Sequence, residues 1–185
     1  MANPASHFTD ALIFIYDTNN ELIAETVVTK HNRGEMYIEV EKGLEKVKPK
    51  TRLQLLILHS GGASELSGVF SIARHGVFEI SIFGERPREV RASTRHTLNA
   101  SAVVSDMVTD VEHKTLSSPI PVTVENLSTT GILVKSKSLR FEIGALLQIE
   151  LAIRGKNAMI YGEVVREEML SNGVYRYGCQ LHFLD

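Results

Sequence analysis

Four arginines, Arg86, Arg88, Arg91 and Arg95, fall within ten residues of a chain that is otherwise balanced in charge. Two of them stand as RxxxR in Arg91-Ala-Ser-Thr-Arg95. A guanidinium offers a planar fork of donors that pairs two at a time with phosphate, matches the O6 and N7 acceptors of guanine, and stacks over a purine face. A lysine pair cannot reproduce that geometry. Roughly thirty residues downstream, Asn126-Leu-Ser128-Thr-Thr-Gly131 places an amide, a hydroxyl and a glycine in one NxSxxG run. Taken singly, each segment also has an ordinary reading: solvated linker charges for the first, and a polar turn ending in a strand glycine for the second.

The net charge of -2 excludes a general polyanion binder, because proteins that hold nucleic-acid polymers carry a basic excess. An anionic ligand must therefore be met by the local arginine cluster. The single cysteine, Cys179, can form neither an internal disulfide nor a thiolate zinc site, and its apolar, strand-like surroundings predict a buried structural thiol. His7, His31, His59, His75, His96, His113 and His182 lack ligand-like spacing and read as surface or turn residues, so no metal site is assigned; His96, beside Arg95, is the one within reach of a ligand there. There is no GxSxG, HExxH, phosphate loop or pair of carboxylates placed for hydrolysis, so no catalytic residue is assigned and an enzyme is not expected. A flavin-holding split barrel in the first half is the enzymatic rival, and would make the purified protein yellow. The N-terminus lacks a basic region followed by an apolar core, and no run approaches the roughly 20 apolar residues of a membrane span. These features predict a soluble cytoplasmic protein without membrane insertion.

The elements that position these residues read as strands. Ala11 to Tyr16 is apolar, the turn at 17–20 (Asp-Thr-Asn-Asn) follows, and Glu21 to Thr29 continues as a β-branched run. Met36 to Val40 alternates. Glu41 to Pro49 is a loop or a single helical turn, and Arg52 to His59 is a strand or a short buried helix. Ser60-Gly-Gly-Ala-Ser64 reads as a hairpin turn, followed by paired strands at 65–74 and 76–83. After the arginine-rich segment, strands are expected at 98–104, 120–124, 132–135, 146–153, 158–165 and 174–183, with a polar stretch at 106–118 and a turn at 154–157. The fold class is all-β: two small antiparallel barrels, residues 1–85 and 96–185, joined by an Arg-rich linker at 86–95.

The order RxxxR then NxSxxG, flanking a first barrel strand, resembles the PilZ domain family. Gly162 to Arg166 (GEVVR) resembles that family's penultimate strand, and Tyr175 to Phe183, with Tyr177-Gly178, resembles its last. The likeness spans about residues 88 to 185 and implies a six-stranded PilZ barrel that binds cyclic di-GMP as a receptor, with no further cofactor. By this resemblance Arg91 and Arg95 contact phosphate and guanine, Asn126 meets the guanine edge with Ser128 beside it, and Gly131 permits close approach. Gly178 is a further candidate on the facing strand. Arg88 adds phosphate attraction or is a solvated linker charge. The position of Val90 bears on whether one ligand or a stacked pair is held. The first half is similar in layout to the barrel that precedes PilZ in flagellar-brake-type receptors. That arrangement implies a ligand that reorients the two domains toward a protein partner in motility, exopolysaccharide production or adhesion. The alternative is a PilZ-like protein-interaction module that does not bind the nucleotide. Many family members continue into a C-terminal helix; this sequence stops just after Leu184, so either the helix is lacking or it lies beyond this sequence, and a barrel end left exposed and apolar would favour a homodimer.

Overall fold

The computed structural model describes residues 8–32, 34–39, 42–59, 62–71, 77–85, 94–109, 113–137 and 141–182. The chain divides into two compact units, Met1–Val90 and Arg91–Asp185, each built around one closed six-stranded barrel. Among the described residues, helix is confined to two single 3-10 turns, Leu44–Lys46 and Ser171–Gly173, and no helix is long and apolar enough to cross a membrane.

The first barrel comprises β1 (Leu12–Tyr16), β2 (Leu22–Asn32), β3 (Glu35–Glu39), β4 (Arg52–His59), β5 (Gly62–Ser71) and β6 (Val77–Glu85). They are ordered β1-β2-β3-β6-β5-β4, and β4 closes on β1. Alternate residues supply the interior: Ile13, Ile15, Leu53, Leu55, Ile57, Met36, Ile38, Phe70 and Ile80 form one core. In β1 every residue is buried, so its sequence, LIFIY, is a continuous apolar run rather than an alternation. Arg52–His59 is a strand, not a helix, held between β1 and β5. Gly62, Ala63 and Ser64, read from sequence as part of a turn, already belong to β5 and pair with β4 up to His59. Small side chains at a half-buried edge gave no alternation to mark them.

The second barrel comprises β7 (His96–Val108), β8 (His113–Leu127), β9 (Gly131–Ser136), β10 (Leu146–Ile153), β11 (Lys156–Met169) and β12 (Tyr175–His182). They are ordered β10-β11-β12-β9-β8-β7, closed by β7 on β10. The interior is filled from all six strands, by Leu98, Val104, Val124, Val134, Leu147, Ile149, Leu151, Ile160, Val164, Tyr177 and Cys179 among others. The stretch 106–118, expected as polar connection, is largely strand, because β8 before Val122 pairs with β7 alone and its residues 115, 117, 118 and 119 are exposed. A strand solvated on both faces loses the apolar alternation that reveals it. The turn expected at 154–157 is tighter, with only Arg154 and Gly155 between paired residues; both have positive φ, 50° and 75°, as a two-residue hairpin requires.

Phe141, which precedes β10, is fully buried and packs edge-on to Tyr177 at 5.0 Å between ring centres. The Phe141 N–H donates to the Tyr177 hydroxyl at 3.1 Å. Tyr177→Phe removes the acceptor of a buried donor and should lower stability by about 1–3 kcal/mol. The urea transition of second-barrel resonances, with an unchanged slope, measures this; an unshifted midpoint would contradict it.

Candidate functional site

Strand geometry allows only every second residue to face outward, and three irregularities in the second barrel change which ones do. Between Val124 and Asn126, β8 carries one residue more than β9 opposite it, so Glu125 and Asn126 both lie outside the core while Val124 and Leu127 are buried. Across β7 the matching irregularity falls between Thr97 and Ala100, with Asn99 at φ 53°. In β11 an extra residue between Val164 and Arg166 leaves both Val165 and Arg166 exposed.

Of these, Asn126, Val165 and Arg166 border a depression of about 290 Å³. It crosses four neighbouring strands. Arg95, immediately before β7, stands at one margin, followed by Asn126 of β8, Gly131 and Leu133 of β9, Gly178 of β12, and Arg166 with Val165 of β11. Ser128, Thr130, Ile132 and Cys179 complete the lining. Five sequence-predicted residues, Arg95, Asn126, Ser128, Gly131 and Gly178, therefore meet in one place. Arg91, Arg88 and Val90 lie outside the described residues. None of the described residues lining the depression is acidic, so two guanidinium groups face it from its two margins within a chain of net charge -2.

Ser128, which the resemblance places beside a guanine, lines the depression and is also engaged within the protein. It is 5% exposed, and its hydroxyl works within its own turn. The oxygen accepts from the Gly131 N–H at 3.1 Å and the Thr130 N–H at 3.4 Å, and its proton can reach the Gly131 carbonyl at 3.1 Å. The Ser128 N–H donates to the same carbonyl at 2.9 Å, and the Leu181 N–H donates to the Thr130 carbonyl at 3.0 Å, which fastens the turn to β12. Gly131 is needed for space: a Cβ there would stand 3.2 Å from the Cys179 carbonyl oxygen. At Gly178 a Cβ would stand 3.4 Å from Nε of Arg166, so the bare glycine forms a floor over which that side chain lies.

Arg166 is the residue that sequence reasoning missed. It was quoted only as the end of a strand-like GEVVR, and regular alternation would have turned it inward. The facing Tyr-Gly pair was the available signal, since a strand glycine leaves room for a long side chain opposite. His96, expected at a surface or turn, is fully buried; it opens β7 opposite Leu127 and alternates with buried Leu98. Cys179 is buried, and burial pushes its thiol up to about 12.

Beside the depression, Glu125 accepts from Arg176 Nε at 2.7 Å and faces the Lys135 ammonium at 3.3 Å. Burial alone would raise this carboxyl; the hydrogen bonds from Arg176 and Lys135 outweigh it and hold the carboxyl below its ordinary value.

A PilZ domain model matches residues 85–185, more than half of the chain, and the chain belongs to the PilZ domain family. No curated protein matches. Among solved structures the chain is similar to MrkH of K. pneumonia in complex with c-di-GMP, at 16% identity over 95% of this chain and 80% of that one, with a TM-score of 0.38. It is similar to the Bacillus subtilis inhibitor of motility MotI/DgrA, at 13% identity over 96% and 89%, TM-score 0.35. It is also similar to YcgR of Escherichia coli in complex with c-di-GMP, at 9% identity over 95% and 77%, TM-score 0.35. At such identities and superpositions these likenesses carry no argument about what this chain does.

Ser128→Ala should cost about 0.5–1.5 kcal/mol in the absence of any ligand, because two N–H groups in a half-buried turn lose their shared acceptor. Chemical denaturation checks this; an unchanged midpoint would show that the hydroxyl is idle in the apo fold.

Proposed function

We propose that this protein is a cyclic di-GMP receptor and that the ligand seats in the depression on the outer wall of the PilZ barrel. The observation that carries the reading is convergence: residues separated by as much as the span from Arg95 to Gly178 line one cationic surface that holds no carboxylate among the described residues. Membership of the PilZ family supports the choice of ligand. The chemistry is recognition, with no bond made or broken. Arg95 pairs its fork with a phosphate or with the guanine O6 and N7 edge, and Arg91, by its RxxxR spacing, takes the complementary contact. The Asn126 amide meets a guanine edge. Ser128 and Gly131 shape the turn that brings the ligand close to backbone. Arg166, laid over Gly178, offers a guanidinium plane on which a purine can stack, with Val165 as an apolar wall.

The RxxxR run coincides in sequence with the junction of the two compact units, which meet at Val90 and Arg91. A ligand that grips this linker and the barrel wall together would bias the arrangement of the two barrels and so alter a surface read by a protein partner in the cytoplasm. The bias exists only if the ligand binds one arrangement more tightly. Small-angle scattering with and without cyclic di-GMP tests it, and identical profiles would remove the reorientation while leaving binding intact.

Calorimetric titration of the full chain with cyclic di-GMP tests the binding itself. Wild type should bind, and Arg95→Ala, Asn126→Ala and Arg166→Ala should each weaken binding about tenfold or more. Arg166→Lys, which keeps the charge but loses the planar fork, should not restore it. Absence of heat from folded wild-type protein at ligand concentrations far above its own would favour a protein-interaction module instead.

A further inference from the structure

Asn126 owes its outward position to a bulge whose extra residue is Glu125: Asn126 itself pairs with Leu133 and Thr97, whereas Glu125 has no partner in either ladder, so the backbone at Glu125 is not fixed by sheet pairing alone. Its side chain is fixed from two other strands. Arg176 of β12 approaches with Nε at 2.7 Å from one carboxylate oxygen and its terminal nitrogen at 3.4 Å from the other. Lys135 of β9 stands 3.3 Å away, and Arg176 continues to Glu168 of β11 at 3.4 Å. The Glu125 side chain is 16% exposed, against 51% for Glu168, so the forked pair is shielded where an ordinary surface pair is screened. Four strands are thus tied across the wall that borders the depression, and the tie attaches one residue from Asn126.

We propose that Glu125 is a positioning residue for ligand binding: anchored by Arg176 and Lys135, it sets the bulge so that the Asn126 amide is held facing the depression. This rests on the reading of the depression as the cyclic di-GMP site. Glu125 does not line the depression; it acts through Asn126.

A double-mutant cycle on the full chain, read by calorimetric titration with cyclic di-GMP, tests it. Glu125→Gln should weaken binding on the order of tenfold in the wild-type background and leave it nearly unchanged in an Asn126→Ala background. Arg176→Lys, which keeps the charge and loses the fork, should show the same dependence on Asn126 and serves where Glu125→Gln folds poorly. An equal loss in both backgrounds would make the network a merely structural support and overturn the proposal, as would an unchanged affinity in Glu125→Gln. Failure of wild type to bind would sink the nucleotide reading itself, an outcome distinct from wild type binding and Glu125→Gln matching it.

Discussion

In a closed six-stranded barrel the pleat divides residues strictly: one set fills the interior and the other faces out. The candidate site depends on breaking that division locally. Without the extra residue in β8, Glu125 and Asn126 could not both face outward between buried Val124 and Leu127. Without the extra residue in β11, Val165 and Arg166 could not stand side by side at the opposite margin. The bulges leave the core intact, because Val124, Leu127 and Val164 remain fully buried on either side of them.

The division of labour within NxSxxG follows from hydrogen bonding. The Ser128 hydroxyl is consumed by the turn, and Gly131 is small because the Cys179 carbonyl passes close by. Asn126 of the same run lines the depression, so the motif combines a hydrogen-bonded turn with an amide at the rim. Arg95 and Arg166 stand at the two margins, and the lining between them carries no carboxylate among the described residues. A slightly acidic chain can attract a compact anion in this way, since short-range charge arrangement rather than net charge governs a desolvated contact.

Much of this was readable from residues alone. Apolar runs with turn residues between them marked most strands, and the spacing of arginine, asparagine, serine and glycine singled out five residues that the fold gathers in one depression. What escaped has a common physical origin. The far end of β8 and the extension of β11 through Glu167 and Glu168 have no fully buried residue among those described to impose alternation, and at the start of β5 the buried residue is a glycine, Gly62, which carries no apolar side chain to mark it. Arg166 owes its placement to a bulge, which shifts register by one residue and leaves no compositional mark. His96 was misjudged because a histidine beside an arginine-rich segment looks solvated, whereas the strand's first inward position takes it into the barrel.

The account stands on the outer wall of the second barrel being where the nucleotide is held. Backbone amide shifts in a two-dimensional NMR titration of the full chain with cyclic di-GMP address this directly. The largest saturable shifts should fall on Asn126, Gly131, Arg166 and Gly178, residues from four different strands. Saturable shifts confined to the first barrel, with these four unmoved, would contradict it.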